Sequence, residues 1–151
     1  MIGLALTPEQ FKTLLGMVYI ANTVANGHLD RDFLSEYDDL EQYVFSRAND
    51  AGFPAATWTH AAGGEEHHHP SRLFEGDPEV NAIMDRYDIH LLTELLSEKL
   101  AERDLEEQFG ADPKSQMPEK DYDELLDERA SLYEAIFLEE GLKKLRLEGI
   151  A

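Results

Sequence analysis

The sequence lacks cysteine and has few basic residues. Without cysteine the chain forms no disulfide, offers no thiolate to a metal and has no cysteine nucleophile, which fits a reducing compartment. Only 13 Lys and Arg stand against 32 Asp and Glu, so the net charge is −19. Because such a chain repels phosphate groups and anionic lipids, we predict neither direct nucleic-acid binding nor membrane binding.

Long apolar runs and familiar catalytic motifs are missing as well. The longest uncharged apolar run, Leu14 to Ala21, is far shorter than the ~20 residues that a membrane span needs. The opening MIGLAL has no basic segment and is too short for a signal peptide, so we expect a cytoplasmic protein. There is no Gly-rich phosphate loop, no G-x-S-x-G and no H-E-x-x-H, and serine-based catalysis has no support.

Helical patterns dominate what is present. Thr7 as N-cap, Pro8 at the first helical position and Gln10 at the capping-box position predict a helix from about Pro8 to Ala25. This helix is apolar on two faces, so it should pack on both sides. If one of these faces is open to solvent, we expect it to contact a partner; its residues are Met17, Ile20 and Val24.

Three further helices are predicted by apolar residues at helical spacing, from about Arg31 to Asn49, from Pro78 to Phe109 and from Pro118 to Glu140. Asp30 would cap the first of them. The helix from Pro78 would be about 48 Å long, more than a compact domain accommodates. We therefore expect a bend or break near Asp88, or a protruding end.

Prolines and glycines make residues 52–76 irregular in the predicted fold. Within them Ala55 to His60 has strand character, and Arg72-Leu73-Phe74 could pair with it across the glycines. The C-terminal LKKLRL either extends the last helix or forms an edge strand against Ala55 to His60, and we favour the strand. The predicted class is all-α with a minor two-stranded β element: a bundle of about four main helices in one domain over 1–151, with a long irregular connection between helices 2 and 3.

Three polar residues interrupt otherwise apolar helix faces and are candidate ligand-binding residues: Asn22, Glu41 and Arg129. A buried charge must be paired or it costs several kcal/mol. An ion pair between Glu41 and Arg129 that fixes the helix register is the favoured explanation. A polar pocket for a small anionic ligand at Arg129 is the alternative.

Two groups of residues have the chemistry of metal ligands. His60, His67 and His69 are of the type that binds zinc or nickel, although only His67 and His69 share a side of an extended segment. The acid pairs Glu36–Asp39 and Glu124–Asp127 resemble part of the motif by which all-α nucleotide pyrophosphatases hold magnesium. That resemblance implies a phosphohydrolase that depends on magnesium or manganese.

The stretches LLGMVYIANTVANGH, EYDDLEQYVFSRANDAGF, DRYD and LAERDL carry a likeness that covers most of the chain. Together they resemble a group of small, acidic, uncharacterised bacterial proteins. The resemblance implies one intact bacterial cytosolic domain and brings no activity with it.

The function predicted first is that of a non-enzymatic interaction or accessory protein that binds a basic partner through its acidic surface. The alternatives are the phosphohydrolase with magnesium or manganese, and a metal-binding accessory protein that uses the histidine loop. No cofactor is predicted outside these two metal-dependent alternatives, and self-association is left open.

Overall fold

The computed structural model describes residues 3–145, which are mostly helical, and contacts divide the chain into two compact units between Met84 and Asp85. The first unit holds α1 (Pro8–Asn26), α2 (Ser35–Phe45), β1 (Thr57–Ala62), β2 (Glu65–Pro70) and α3 (Arg72–Glu75). Helix α4 (Pro78–Phe109) begins in the first unit and continues into the second, which also holds α5 (Glu119–Glu140). The mainly helical class with a two-stranded sheet is confirmed. The four-helix bundle and the single domain over 1–151 stay predictions.

Helix α1 begins at Pro8, as predicted, because its capping box forms. The Thr7 hydroxyl accepts a hydrogen bond from the Gln10 backbone N–H at 3.3 Å, and the Gln10 side chain accepts one from the Thr7 N–H at 2.9 Å. The helix ends at Asn26, where the N–H of Gly27 donates to the Thr23 carbonyl at 2.8 Å. A Cβ atom on Gly27 would lie 2.5 Å from the same carbonyl oxygen, so the close approach requires glycine.

Helix α2 is shorter than predicted. It begins at Ser35 rather than Arg31 and ends at Phe45 rather than Asn49, and the expected cap at Asp30 is therefore wrong. The Asn26 side chain holds the preceding loop in place: its Oδ1 accepts from the Leu34 N–H at 2.8 Å, and its Nδ2 donates to the Leu34 carbonyl at 3.0 Å. These contacts satisfy the Leu34 backbone outside a helix, and α2 starts at the next residue.

The interval 52–76, predicted to be irregular, contains an antiparallel hairpin of β1 and β2. The expected pairing of Ala55 to His60 with Arg72-Leu73-Phe74 is wrong, because Glu65–Pro70 is the partner strand and Arg72–Glu75 is one turn of helix, α3. Gly63 and Gly64 have φ values of 64° and 90°, the positive values that a two-residue turn between twisted strands requires. They direct the chain straight back on itself.

The first unit is built around buried apolar residues from its helices and from the 48–80 region. Rings of Phe45 and Phe74 meet edge to face at 5.1 Å, and Tyr19 meets Phe74 in the same way at 5.7 Å. The fully or largely buried members are Leu15, Val18, Val44, Phe45, Ala48, Phe74 and Val80. Since α3 contributes Phe74, this short helix ties the hairpin to α1 and α2.

Helix α4 runs without interruption over 32 residues, so a break near Asp88 is wrong, while the bend and the protruding end stay predictions. Between Glu79 and Phe109 there is no proline or glycine to cause one. In the second unit α4 contributes the buried Ala101 and Leu105, and α5 contributes Tyr122 and Phe137. Of the C-terminal LKKLRL, Leu142 to Lys144 belong to a 3-10 turn at Gly141–Lys144, Leu145 follows that turn, and Arg146 onwards lies outside the described residues.

Candidate functional site

A cavity of about 360 Å³ opens in the first unit between α1, α2, the two strands and the end of α3. Its lining is chemically mixed, with three aromatic rings, two carboxylates, two amides and one imidazole. These side chains are Tyr19, Phe33, Trp58, Glu41, Glu75, Asn22, Asn26 and His69. Lysine and arginine are absent from this lining, which is drawn from the described part of the first unit. Concave sites with a few convergent polar groups are the usual form of a ligand pocket.

Glu41 is the buried charge of this cavity. Only 4% of the residue is exposed, and its Oε2 accepts a hydrogen bond from Asn22 Nδ2 at 3.0 Å. Burial raises the pKa of Glu41 to about 7; the bond from Asn22 opposes this, and the charges of Asp38 and Glu75 add to it. A carboxyl group that titrates near neutral pH inside a cavity is a typical feature of functional sites.

The two amides behind Glu41 form a buried chain. Asn26 Nδ2 donates to Asn22 Oδ1 at 2.7 Å, and Asn22 in turn donates to Glu41. The same Asn26 side chain bonds the Leu34 backbone. The position of the Glu41 carboxylate is therefore fixed by the end of α1 and by the loop that leads into α2.

Aromatic rings form the walls of the cavity. Trp58, the only tryptophan of the sequence, is 48% exposed, and its ring lies 5.3 Å from that of His69 between centroids, tilted by 32°. Phe33 is 53% exposed on the α1–α2 loop. Tyr19 is partly buried, and burial, followed by the charge of Glu75, raises its pKa. Aromatic surfaces thus lie beside the two carboxyl groups of the cavity, Glu41 and Glu75.

The hairpin brings the three predicted histidines to one side of the sheet. His60 pairs with His67 across the strands, and the rings stack at 5.3 Å; His60 and His69 stack at 5.2 Å. His67 Nδ1 also lies 3.1 Å from Gln42 Oε1 on α2. Burial lowers the pKa of His69; Asp38 opposes this shift, and the neighbouring histidines add to it.

The sequence placed only His67 and His69 on a common side, and the cross-strand pairing adds His60. The rings lie nearly parallel, with 13° to 22° between the planes of His60 and the other two. Within residues 3–145, no three His, Asp or Glu side chains are arranged so that they could hold a metal ion. The metal role of His60, His67 and His69 stays a prediction.

Arg129 lies in the second unit, in a different environment from Asn22 and Glu41. Its Nη1 is 4.0 Å from Asp104 Oδ2, its Nη2 donates to Gln108 Oε1, and Tyr133 donates to the same Asp104 oxygen at 2.5 Å. Burial would raise the pKa of Asp104, but hydrogen bonds from Tyr133 and Arg103 and the arginine charges outweigh it and lower the pKa.

A second cavity, of about 420 Å³, surrounds Arg129 and Asp104. Its aliphatic lining residues are Leu125, Leu132 and Ile136 of α5. The partners found for Glu41 and Arg129 each lie in the same unit as the residue itself. The ion pair between them, and the anion pocket at Arg129, stay predictions.

The other candidate surfaces can also be placed. On α1, Met17 is 62% and Val24 is 57% exposed, while Ile20 is partly buried, so this face is largely open. Its role as a partner contact stays a prediction. The acid pair Glu36–Asp39 is exposed on α2, and Glu124–Asp127 is exposed on α5 in the other unit.

Comparison with protein families, curated proteins and solved structures finds no match to this chain. The resemblance to small acidic bacterial proteins therefore stays a prediction. No helix within residues 3–145 combines the length and the apolar character that a membrane crossing requires.

Proposed function

We propose that this protein is a non-enzymatic binding protein for a basic partner, and that the Glu41 cavity receives positive charge from that partner. The observation that carries the proposal is the lining of this cavity. It contains two carboxylates, Glu41 and Glu75, and neither lysine nor arginine among the described lining residues. A cationic group would supply the counter-charge that Glu41 lacks there.

The overall charge supports the same function. With 32 acidic and 13 basic residues, the surface attracts cations over distances of about a Debye length, ~10 Å at 0.1 M salt. Such attraction speeds the encounter with a basic partner and makes the affinity depend on salt. The cavity then gives the encounter a fixed contact point.

Calorimetric titration with a hexalysine peptide at low and at high salt tests the proposal. We expect binding near 20 mM salt and a loss of about tenfold or more in affinity near 200 mM, because exposed charges are screened. A hexaglutamate peptide of the same length is the matched control and should not bind. If hexalysine does not bind at low salt, the protein does not recognise basic partners in this way.

A further inference from the structure

The feature of the site that its hydrogen bonds do not explain is the second oxygen of the Glu41 carboxylate. Oε2 accepts the bond from Asn22, whereas Oε1 has no hydrogen-bond donor among residues 3–145. Glu41 is 4% exposed, and it lines the cavity. Oε1 is not among the buried side-chain atoms that lack a hydrogen-bond partner, so it is open to the cavity. A largely buried carboxylate without a counter-charge is costly, and a ligand that supplies both a hydrogen-bond donor and a positive charge relieves that cost.

The number of available oxygens distinguishes between classes of cation. A guanidinium group binds a carboxylate best through two parallel hydrogen bonds, one to each oxygen. In this cavity Oε2 already accepts a hydrogen bond from Asn22, so a guanidinium group would have to share that oxygen with Asn22, whereas Oε1 has no donor among the described residues. An ammonium group is a compact charge with three donors, and it can bond Oε1 alone while its other N–H groups reach further acceptors.

The aromatic residues of the cavity suit an aliphatic chain that carries an ammonium group. Tyr19, Phe33 and Trp58 offer aromatic surface beside the carboxylate. Aromatic faces attract cations, and they also pack against the methylene groups of a long aliphatic stem. Both Phe33 and Trp58 are about half exposed, so the cavity is open to a side chain that enters from solvent.

We infer that the Glu41 cavity binds a primary ammonium group at the end of an unbranched aliphatic chain, as a lysine side chain presents it. The inference rests on the proposed function and specifies its ligand: one lysine of the basic partner enters between Trp58 and Tyr19, and its ammonium group pairs with Glu41. A free alkylamine has the same chemistry and is the other source of such a group.

Binding of this kind is coupled to a proton. Because burial raises the pKa of Glu41 to about 7, part of the protein carries a neutral Glu41 at neutral pH, and the ammonium group must displace that proton. The other ionisable groups around it are Tyr19 on α1, Asp38 on α2, His69 on β2 and Glu75 at α3. A protonated His69 would repel the ligand, so both residues make binding weaker as the pH falls.

The test compares three proteins by calorimetry and by the fluorescence of Trp58: wild type, Glu41→Gln and Asp39→Asn. Asp39 is an exposed acid on the same helix, so its replacement makes the same change of charge outside the cavity. We expect Glu41→Gln to lower the affinity for hexalysine about tenfold or more and Asp39→Asn to lower it less than about twofold. Hexaarginine should bind wild type more weakly than hexalysine does and should be less sensitive to Glu41→Gln.

Proton release provides a readout that does not depend on one variant. Wild type at pH 6.5 should release a fraction of a proton on binding hexalysine, as judged from heats in two buffers of different ionisation enthalpy, and Glu41→Gln should not. Glu75→Gln alters an exposed lining acid and should lower the affinity by about threefold through charge alone. Binding of n-butylamine with the same dependence on Glu41 would identify a free amine as sufficient.

The outcomes separate the two proposals. If hexalysine binds wild type and Glu41→Gln equally and no proton is released, the cavity is not the ammonium site, while recognition of a basic partner still holds. If neither peptide nor n-butylamine binds wild type at low salt, the proposed function itself is wrong.

Discussion

Glu41 is buried and has no basic side chain beside it in the cavity. Its ionisation therefore affects the free energy of unfolding. Between pH 4.5 and 7 the folded protein still holds the Glu41 proton that the unfolded chain has lost. The free energy of unfolding therefore falls as the pH rises through this range. Since one pKa unit corresponds to ~1.4 kcal/mol, a rise from 4.5 to about 7 makes ionised Glu41 cost about 3 kcal/mol.

Replacing Glu41 by glutamine removes this cost but keeps an oxygen that can accept from Asn22. We expect Glu41→Gln to gain up to about 3 kcal/mol over wild type as the pH is raised from 4.5 to 8, measured by urea unfolding at each pH. Asp39→Asn serves as the control and should show no such divergence. A difference between Glu41→Gln and wild type that is constant with pH would contradict the buried ionisation.

Asn26 is the second residue on which the site depends. It is 5% exposed, and its side chain makes three hydrogen bonds, to Asn22 and to both backbone groups of Leu34. Replacement by alanine leaves buried polar groups without partners, so we expect a loss of about 2–4 kcal/mol in thermal or urea unfolding. Asn49→Ala, at an exposed position, should change stability by less than about 0.5 kcal/mol.

At the scale of elements, the hairpin carries a dependence on pH of its own. Three imidazoles stack on one side of β1 and β2, and their protonated forms repel each other. The pKa of His69 is lowered, so its contribution to stability is complete above its ordinary value of 6.5 and is lost as the pH falls below that value.

We therefore expect amide hydrogens of β1 and β2 to exchange faster at pH 5 than at pH 7 once intrinsic rates are corrected for. His69→Gln should weaken this dependence, because one of the mutually repelling charges is gone. His28→Gln, at an exposed histidine between α1 and α2, is the control and should leave it unchanged. Equal pH dependence in wild type and His69→Gln would argue against the stack as its source.

At the scale of the whole molecule, the net charge of −19 acts on every part of the chain. Repulsion among these charges destabilises compact states, and salt screens it. We expect the thermal midpoint to rise as ionic strength increases from about 0.01 to 0.15 M, over which the Debye length falls from ~30 to ~8 Å. A fall in the midpoint would mean that exposed ion pairs such as Lys12–Glu79 outweigh the general repulsion.

Local signals explain which parts of this fold were predictable. Thr7, Pro8 and Gln10 act within one turn of each other, and α1 begins where they place it. The start of α2 depends on Asn26, which reaches eight residues along the chain to Leu34, and a local pattern does not reveal such a contact. Gly63-Gly64 contributes to the predicted irregular interval 52–76, although two glycines between strands also form the tightest hairpin turn.

The candidate site was predictable only in part for the same reason. Glu41 and Asn22 stood out because each is polar on an otherwise apolar helix face, and the structure brings these two together. Tyr19, Trp58 and Glu75 were missed, since they come from three different elements and only the packing of the first unit assembles them. The sequence does place Trp58 on a predicted strand, but no local pattern indicates that this strand lies beside Glu41.

The end of α1 also determines how readily Asn26 loses its side-chain amide during storage. Asn-Gly sequences lose the side-chain amide readily when the backbone nitrogen of the glycine can attack the asparagine side chain. In the folded protein the Gly27 nitrogen is bonded to the Thr23 carbonyl, and both ends of the Asn26 amide are held. If storage opens this helix end, the Gly27 nitrogen can attack the Asn26 side-chain carbonyl and expel ammonia. Water then opens the resulting cyclic imide to aspartate or isoaspartate. Either product places a new carboxylate beside Asn22 and Glu41, and that carboxylate cannot donate the two hydrogen bonds that Asn26 Nδ2 makes to Asn22 and to the Leu34 carbonyl.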